Sequence, residues 1–324
     1  MAFYRAKLTA RALQTQKLSR VVNFSVIDSP LRARQGVNLA ACSKHGGFRR
    51  KRSVARLLGA AGVSAAVLST SAVCAMAACA PFSLDSDKSD WREAKKKLLS
   101  MTVKERREVY RTTDYISLDQ VPVWKHSGAA SVKPLYKANE ELNQKISLFR
   151  GDITKLEIDA IANAANKTLL GGGGVDGAIH RGAGPLLRKE CSTLGGCETG
   201  EAKITGAYGL PARYVIHTVG PIAHGSVGET ERRALRDCYY NCLSTATENK
   251  LRTVAFPCIS TGVYGYPPEQ AVEVALKTVR EYLEDNPAQM DRVIICVFLK
   301  SDEDLYKSRL PAYFPIDAFP ESKL

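Results

Sequence analysis

An α/β sandwich on a mixed, largely parallel sheet is the fold class that this 324-residue sequence predicts. From Ile146 onward, short apolar runs alternate with amphipathic stretches, and glycine-bearing loops sit between several of them. Strands interleaved with helices argue for one sheet covered on its faces by helices. Read in order, strands are expected at 146–149, 158–162, 202–208, 214–219, 253–258 and 292–299. Helices are expected at 175–194, 229–249, 268–285 and 302–313, with Pro267 and Pro268 suited to a helix start. In such sheets ligands collect at the carboxyl ends of strands, where loops lead into helix N-termini.

Ahead of this domain, Asp90 before 91–100 and Thr102 with Glu105 three residues on read as two short helices, the second opened by a capping box. The segment to about Val132 is therefore expected as a helical accessory region, and 133–143 as a polar linker. The expected organisation is a leader at 1–84, an accessory segment and linker at 85–145, the α/β domain at 146–316 and a tail at 317–324.

The net charge of +13 invites a nucleic-acid reading until its distribution is examined. Residues 1–84 hold 13 Lys or Arg against Asp28 alone, a net +12, whereas the other 240 residues carry 33 basic and 32 acidic side chains, a net +1. A basic leader rich in Arg, Ser and Ala has the composition of a mitochondrial transit peptide and is expected to be disordered. Arg49 to Arg52 form a basic cluster that leaves a nuclear or cytoplasmic pool open. The uncharged stretch 57–84 is dominated by small residues rather than Leu, Ile and Phe, so no stable membrane insertion is expected. Nine cysteines without a CxxC pair argue against a disulfide framework or structural zinc, and most read as reduced core thiols.

The chemistry concentrates in Gly151-Asp152-Ile153-Thr154, Asn163-Ala164-Ala165-Asn166 and the run Gly171 to Gly174 followed by Val175-Asp176-Gly177-Ala178-Ile179-His180. Four consecutive glycines offer backbone amides with no side chains in the way, and a helix begins directly after them, which suits a phosphate or diphosphate. A flexible turn is the plainer reading of the glycines alone. Gly172, Gly174 and Gly177 also satisfy GxGxxG, but several residues intervene after the strand and no acidic strand end follows at the right distance. No Lys-Ser or Lys-Thr follows, which removes the P-loop reading.

A second loop, Ser260-Thr261-Gly262-Val263-Tyr264-Gly265, follows the strand at 253–258 and supplies further amides and two hydroxyls. Two such loops imply a ligand with two phosphates, and Tyr264 suits either cover for a sugar or base, or packing. Asp176 and His180 stand four apart on one helix face. They suit a water-orienting pair, and equally a helix-end charge pair.

The string from Gly151 to His180, with Ser260 to Tyr264 further on, resembles the MacroD-type macrodomain family over about 146–314, and 91–110 resembles the extension that precedes such domains. The resemblance implies a three-layer α/β/α fold that binds ADP-ribose. It assigns Asp152 to the adenine amino group with Ile153 beside it, and the diphosphate to Gly172, Gly173, Gly174 and Val175 with the loop of Ser260, Thr261, Gly262, Val263 and Tyr264. Asn163 and Asn166 then shape the distal-ribose pocket, Tyr264 packs on that ribose, and Asp176 and His180 are the catalytic pair, with Asn166 beside them. Gly182 stands where the family usually has alanine, and Tyr264 where some relatives have phenylalanine. Implied substrates are mono-ADP-ribosylated Asp and Glu side chains of proteins, and O-acetyl-ADP-ribose. No cofactor, metal or nucleic acid is required on this reading, and a monomer is expected. A reader module that binds ADP-ribose without turnover uses the same cleft and is the alternative. An RNA binder rests on the leader alone.

Overall fold

The computed structural model describes Leu84 and residues 89–125 and 132–316; the expected leader up to residue 83 and the expected C-terminal tail lie outside these residues. Two helices open the described chain, α1 (Trp91–Ser100), capped by Asp90, and α2 (Val103–Arg107), capped by Thr102 through the expected box with Glu105. Next come β1 (Ile116–Ser117) and α3 (Glu140–Asn143), followed by β2 (Ile146–Arg150), β3 (Leu156–Glu157) and β4 (Ala160–Ala164). The remaining elements are α4 (Gly174–Ala183), α5 (Pro185–Ser192), β5 (Ala202–Gly206), β6 (Tyr214–Thr218), α6 (Glu229–Glu248), β7 (Thr253–Phe256), α7 (Pro268–Asp285), β8 (Arg292–Val297) and α8 (Lys300–Tyr313).

Six strands form one mixed sheet in the order β2-β8-β7-β4-β6-β5. All neighbours are parallel except the edge strand β5, which runs antiparallel to β6. Successive strand residues point to opposite faces, and both faces are buried. Ala160, Ala162, Val254, Phe256, Val293 and Ile295 pack with α6, α7 and α8, while Ile161, Ala255, Ile294 and Val215 pack with α1, α4 and α5. Burial on both sides is why these strands read as continuous apolar runs.

Four expectations are corrected. The single helix expected at 175–194 is two helices, because Gly184 (φ +86°) takes a backbone conformation that side-chain-bearing residues rarely adopt, and Pro185 lacks the amide to continue α4. The strand expected at 158–162 begins two residues later, after Asp159 has accepted hydrogen bonds from Arg252 N and Thr253 N. The linker at 133–143 ends in α3, whose first turn is capped by Asn139. The accessory segment is helical only in part, since β1 pairs in parallel with β3.

The accessory segment is locked to the domain by buried charges. Arg106 Nη2 donates to the carbonyls of Pro211 (2.9 Å) and Ala212 (2.7 Å). Lys95 of α1 reaches Glu190 of α5 at 2.6 Å, and the other Glu190 oxygen accepts from Gly206 N (2.9 Å) and the Tyr208 hydroxyl (2.6 Å). Five of the six cysteines among the described residues are buried thiols and Cys258 is half-buried, none in a disulfide. No helix of the described residues is long and apolar enough to cross a membrane.

Candidate active site

Because β2, β8, β7, β4 and β6 are parallel, their carboxyl ends share one edge of the sheet, and every candidate loop emerges there. Asp152 follows β2, the 260–264 loop follows β7, and Asn166 with the glycine run follows β4. β2 and β4 are three strand spacings apart, about 14 Å. An elongated ligand lying along this edge meets Asp152 at one end and Asp176 at the other.

At the β2 end, Asp152 Oδ1 accepts from Thr154 N (2.9 Å) and Thr154 Oγ1 (2.7 Å), closing a 3-10 turn over Ile153–Lys155 in which Ile153 is buried. Gly151 N donates to Val297 O (3.0 Å), which brings the end of β8 beside Asp152. There Phe298 is 76% exposed, an aromatic face that sequence reasoning missed. It stood within an expected strand, where a large apolar side chain reads as core.

At the β4 end, Asp176 lies in the first turn of α4 and is only 3% exposed. Asn163 Nδ2 donates to its Oδ1 at 2.8 Å, and His180 Nε2 lies 3.4 Å from the same oxygen. Burial pulls the His180 pKa below the usual histidine value, against the opposing field of the Asp176 carboxylate. A neutral ring therefore faces Asp176, and Asn163 rather than His180 is its closer partner. Asp176 Oδ2 is buried without a hydrogen-bond partner, as are Asn163 Oδ1 and Ser260 Oγ. A side chain at Gly172 would come within 3.1 Å of both Asn166 Nδ2 and Asp176 Oδ2, so a bare backbone at this point keeps the carboxylate in place.

Asn166 braces the loop: its Nδ2 donates to Gly171 O (3.0 Å), and its Oδ1 accepts from Thr168 N and Thr168 Oγ1. Gly171 (φ +90°) and Gly174 (φ +58°) use conformations open to glycine, and Gly172, Gly173 and Gly174 are exposed ahead of half-buried Val175. A Cβ on Gly177 would meet Gly172 O at 2.5 Å, so the helix presses directly on the loop.

Between the two ends stands the 260–264 loop. Ser260 is held at φ +66°, Thr261 Oγ1 donates to Cys258 O (3.3 Å), and Tyr266 N returns to Ser260 O (3.0 Å). Gly262 is exposed and Val263 is 97% exposed. Tyr264 is half-buried, and its carbonyl accepts from Ala223 N (2.8 Å), so the loop after β6 is tied to the loop after β7. Gly220 was also missed from sequence; a Cβ there would lie 1.9 Å from Ser260 Oγ. Among the described residues no group of three or more His, Cys, Asp or Glu is gathered to hold a metal ion. A separate cleft of about 170 Å³ between α6 and α7, lined by Arg236, Tyr240 and Glu281 among others, contains none of these residues.

The Macro domain family model matches residues 162–275. The ADP-ribose glycohydrolase MACROD1 of Bos taurus is 57% identical over 235 residues, covering 71% of this chain and 72% of that protein. Its Rattus norvegicus counterpart is 57% identical over the same length and is covered to 91%. Among solved structures, the Trypanosoma brucei macrodomain in complex with ADP-ribose is similar with a TM-score of 0.55 and 37% identity, covering 67% of this chain and 90% of that one.

Proposed function

The chain belongs to the macrodomain family, in the branch of the MACROD ADP-ribose glycohydrolases, and we propose that it binds ADP-ribose and hydrolyses the ester linking mono-ADP-ribose to Asp or Glu side chains. O-Acetyl-ADP-ribose, whose acyl group sits on a ribose hydroxyl rather than on the anomeric carbon, is proposed as a second substrate. The observation that carries the hydrolase over a reader is Asp176: a buried carboxylate gripped on one oxygen by Asn163 and left with its other oxygen unpartnered beside the exposed glycines. A module that only binds has no need to hold a desolvated carboxylate there.

On this reading the adenine lies between Asp152 and the Phe298 ring, and the diphosphate meets the amides of 172–175 and 260–263. The distal ribose lies against Asn163, Asn166 and Tyr264. Asp176 orients a water toward the anomeric carbon of that ribose, and the neutral His180 ring beside it restrains the carboxylate. The carbon–oxygen bond to the carboxylate leaving group breaks, the water oxygen stays on the ADP-ribose, and the Glu or Asp carboxylate departs with both of its own oxygens. The glycine amides already face phosphates, so an oxyanion at the acyl carbon lacks assigned donors.

The test is release of ADP-ribose from a glutamate-linked mono-ADP-ribosylated protein by the full chain, run in oxygen-18 water. Release with no label in the freed Glu carboxylate is expected. Tight binding without release makes the chain a reader, and label in the freed Glu moves the attack to the acyl carbon.

A further inference from the structure

Beneath Asp176, a line of buried polar side chains crosses three neighbouring strands. Asn163 of β4 and His217 of β6 are register partners, and β5 lies on the far side of β6 with Thr205. All three are fully buried. His217 Nε2 is 2.9 Å from Thr205 Oγ1, and His217 Nδ1 is 3.1 Å from Asn163 Nδ2. The same Asn163 Nδ2 reaches Asp176 Oδ1 at 2.8 Å.

Hydrogen counting orients the whole line. An amide nitrogen has two hydrogens and accepts nothing. One hydrogen of Asn163 goes to Asp176, so the other points at His217 Nδ1, which must be the bare nitrogen. Burial holds the pKa of this ring down at about 3, so it is neutral, and its one proton sits on Nε2 and is donated to Thr205. Cys191 Sγ, at 3.7 Å from the same Nε2, is the weaker neighbour. The reversed amide would set Asn163 Oδ1 against Asp176 Oδ1, two acceptors with no hydrogen between them.

We infer that His217 is a positioning residue of the active site: its bare Nδ1 fixes the Asn163 amide, so that one N–H grips Asp176 and the amide oxygen is left as an acceptor for the bound ribose. The inference rests on the hydrolase reading above. Asn163 Oδ1 is buried and accepts no hydrogen bond among the described residues, which suits it to a hydroxyl donor of the ligand. His217 thereby controls two contacts at the reacting end of the cleft without touching the substrate.

The experiment compares the wild-type full chain with His217→Leu, His217→Gln, Asn163→Ala and the double variant Asn163→Ala with His217→Leu. Each is measured for kcat, KM and thermal midpoint. We expect His217→Leu to lower kcat at least tenfold with KM changed less than threefold. His217→Gln keeps an acceptor oxygen and should recover most of that loss. In the Asn163→Ala background, His217→Leu should lower kcat no further, because its effect passes through the missing amide. Additive losses, or a loss that His217→Gln does not recover, overturn the inference.

The tautomer supplies a readout independent of variant folding. Nitrogen-15 NMR of the wild-type His217 ring should show the proton on Nε2. An active enzyme with the proton on Nδ1 overturns the positioning role alone. A wild-type chain that binds ADP-ribose without releasing it, yet carries the Nε2 proton, overturns the hydrolase reading and the positioning role with it.

Discussion

Glu190 of α5 and Asp176 of α4 are both helix-borne carboxylates only 3% exposed, yet their surroundings differ in kind. Glu190 spends both oxygens inside the protein, on Lys95, Gly206 N and Tyr208. Asp176 spends one, and its Oδ2 shares the strand-end edge with three other unpartnered buried atoms, Asn163 Oδ1, His180 Nε2 and Ser260 Oγ. Burying a charge is tolerable when hydrogen bonds replace its water. The satisfied carboxylate is a structural clasp between the accessory segment and the domain. The half-satisfied one is desolvated in readiness for something from outside.

That contrast breaks most visibly on removing the charge of Asp176. Asp176→Asn should lower kcat by about 10²- to 10⁴-fold. Its denaturation midpoint should stay at or above the wild-type value, because the variant relieves a desolvated carboxylate oxygen. Rate assays beside urea titrations check both halves, and a large stability loss would return Asp176 to the structural class.

The clasp should behave in the opposite way. Glu190→Ala leaves Lys95, Gly206 N and Tyr208 without their acceptor, and is expected to destabilise the chain by about 3 kcal/mol, the low end for a broken buried pair because Lys95 is partly exposed. Turnover per folded molecule should stay within about twofold. A kcat loss as deep as that of Asp176→Asn would show that the clasp sets the geometry of the cleft as well as its stability.

A smaller effect sharpens the comparison through pH. His217 has a pKa of about 3 in the folded chain, against about 6.5 when unfolded, so between these values the unfolded state binds more protons. Stability should therefore fall as pH drops below about 6.5, at up to about 1.4 kcal/mol per unit, and stop falling near pH 3. His180, also depressed by burial, acts with the same sign. Midpoints measured from pH 7.5 to 4.5 should show the slope, and His217→Gln should flatten it. An unchanged slope in that variant would assign the acid sensitivity elsewhere.

The smallest effect concerns Gly182. Alanine there gains about 1 kcal/mol of helix propensity. Its Cβ would lie 2.6 Å from Leu210 Cδ2, the far end of a side chain that must turn aside. The two effects oppose, so Gly182→Ala should shift stability by less than about 1 kcal/mol. A loss above about 2 kcal/mol in chemical denaturation would show that Leu210 is locked in place.

Much of this molecule was legible in one dimension. The strands are buried on both faces and therefore apolar along their length, and α6 and α7 carry apolar residues at helical spacing, so their existence and order follow from local pattern. The glycine-bearing loops at the strand ends were legible for the same reason, since glycine runs and the Asp176 and His180 spacing are local. The break at Gly184-Pro185 was written in the sequence too, and was overridden by the longer amphipathic pattern around it. What no local pattern contains is pairing between distant segments. β1 is two residues long and exists only because β3 lies beside it. Phe298 looked like core until the edge of the sheet left it in solvent. His217 offered a lone histidine in an apolar run. Only the β4–β6 register set its Nδ1 against Asn163, and so made the orientation of one buried amide depend on a residue 54 positions away.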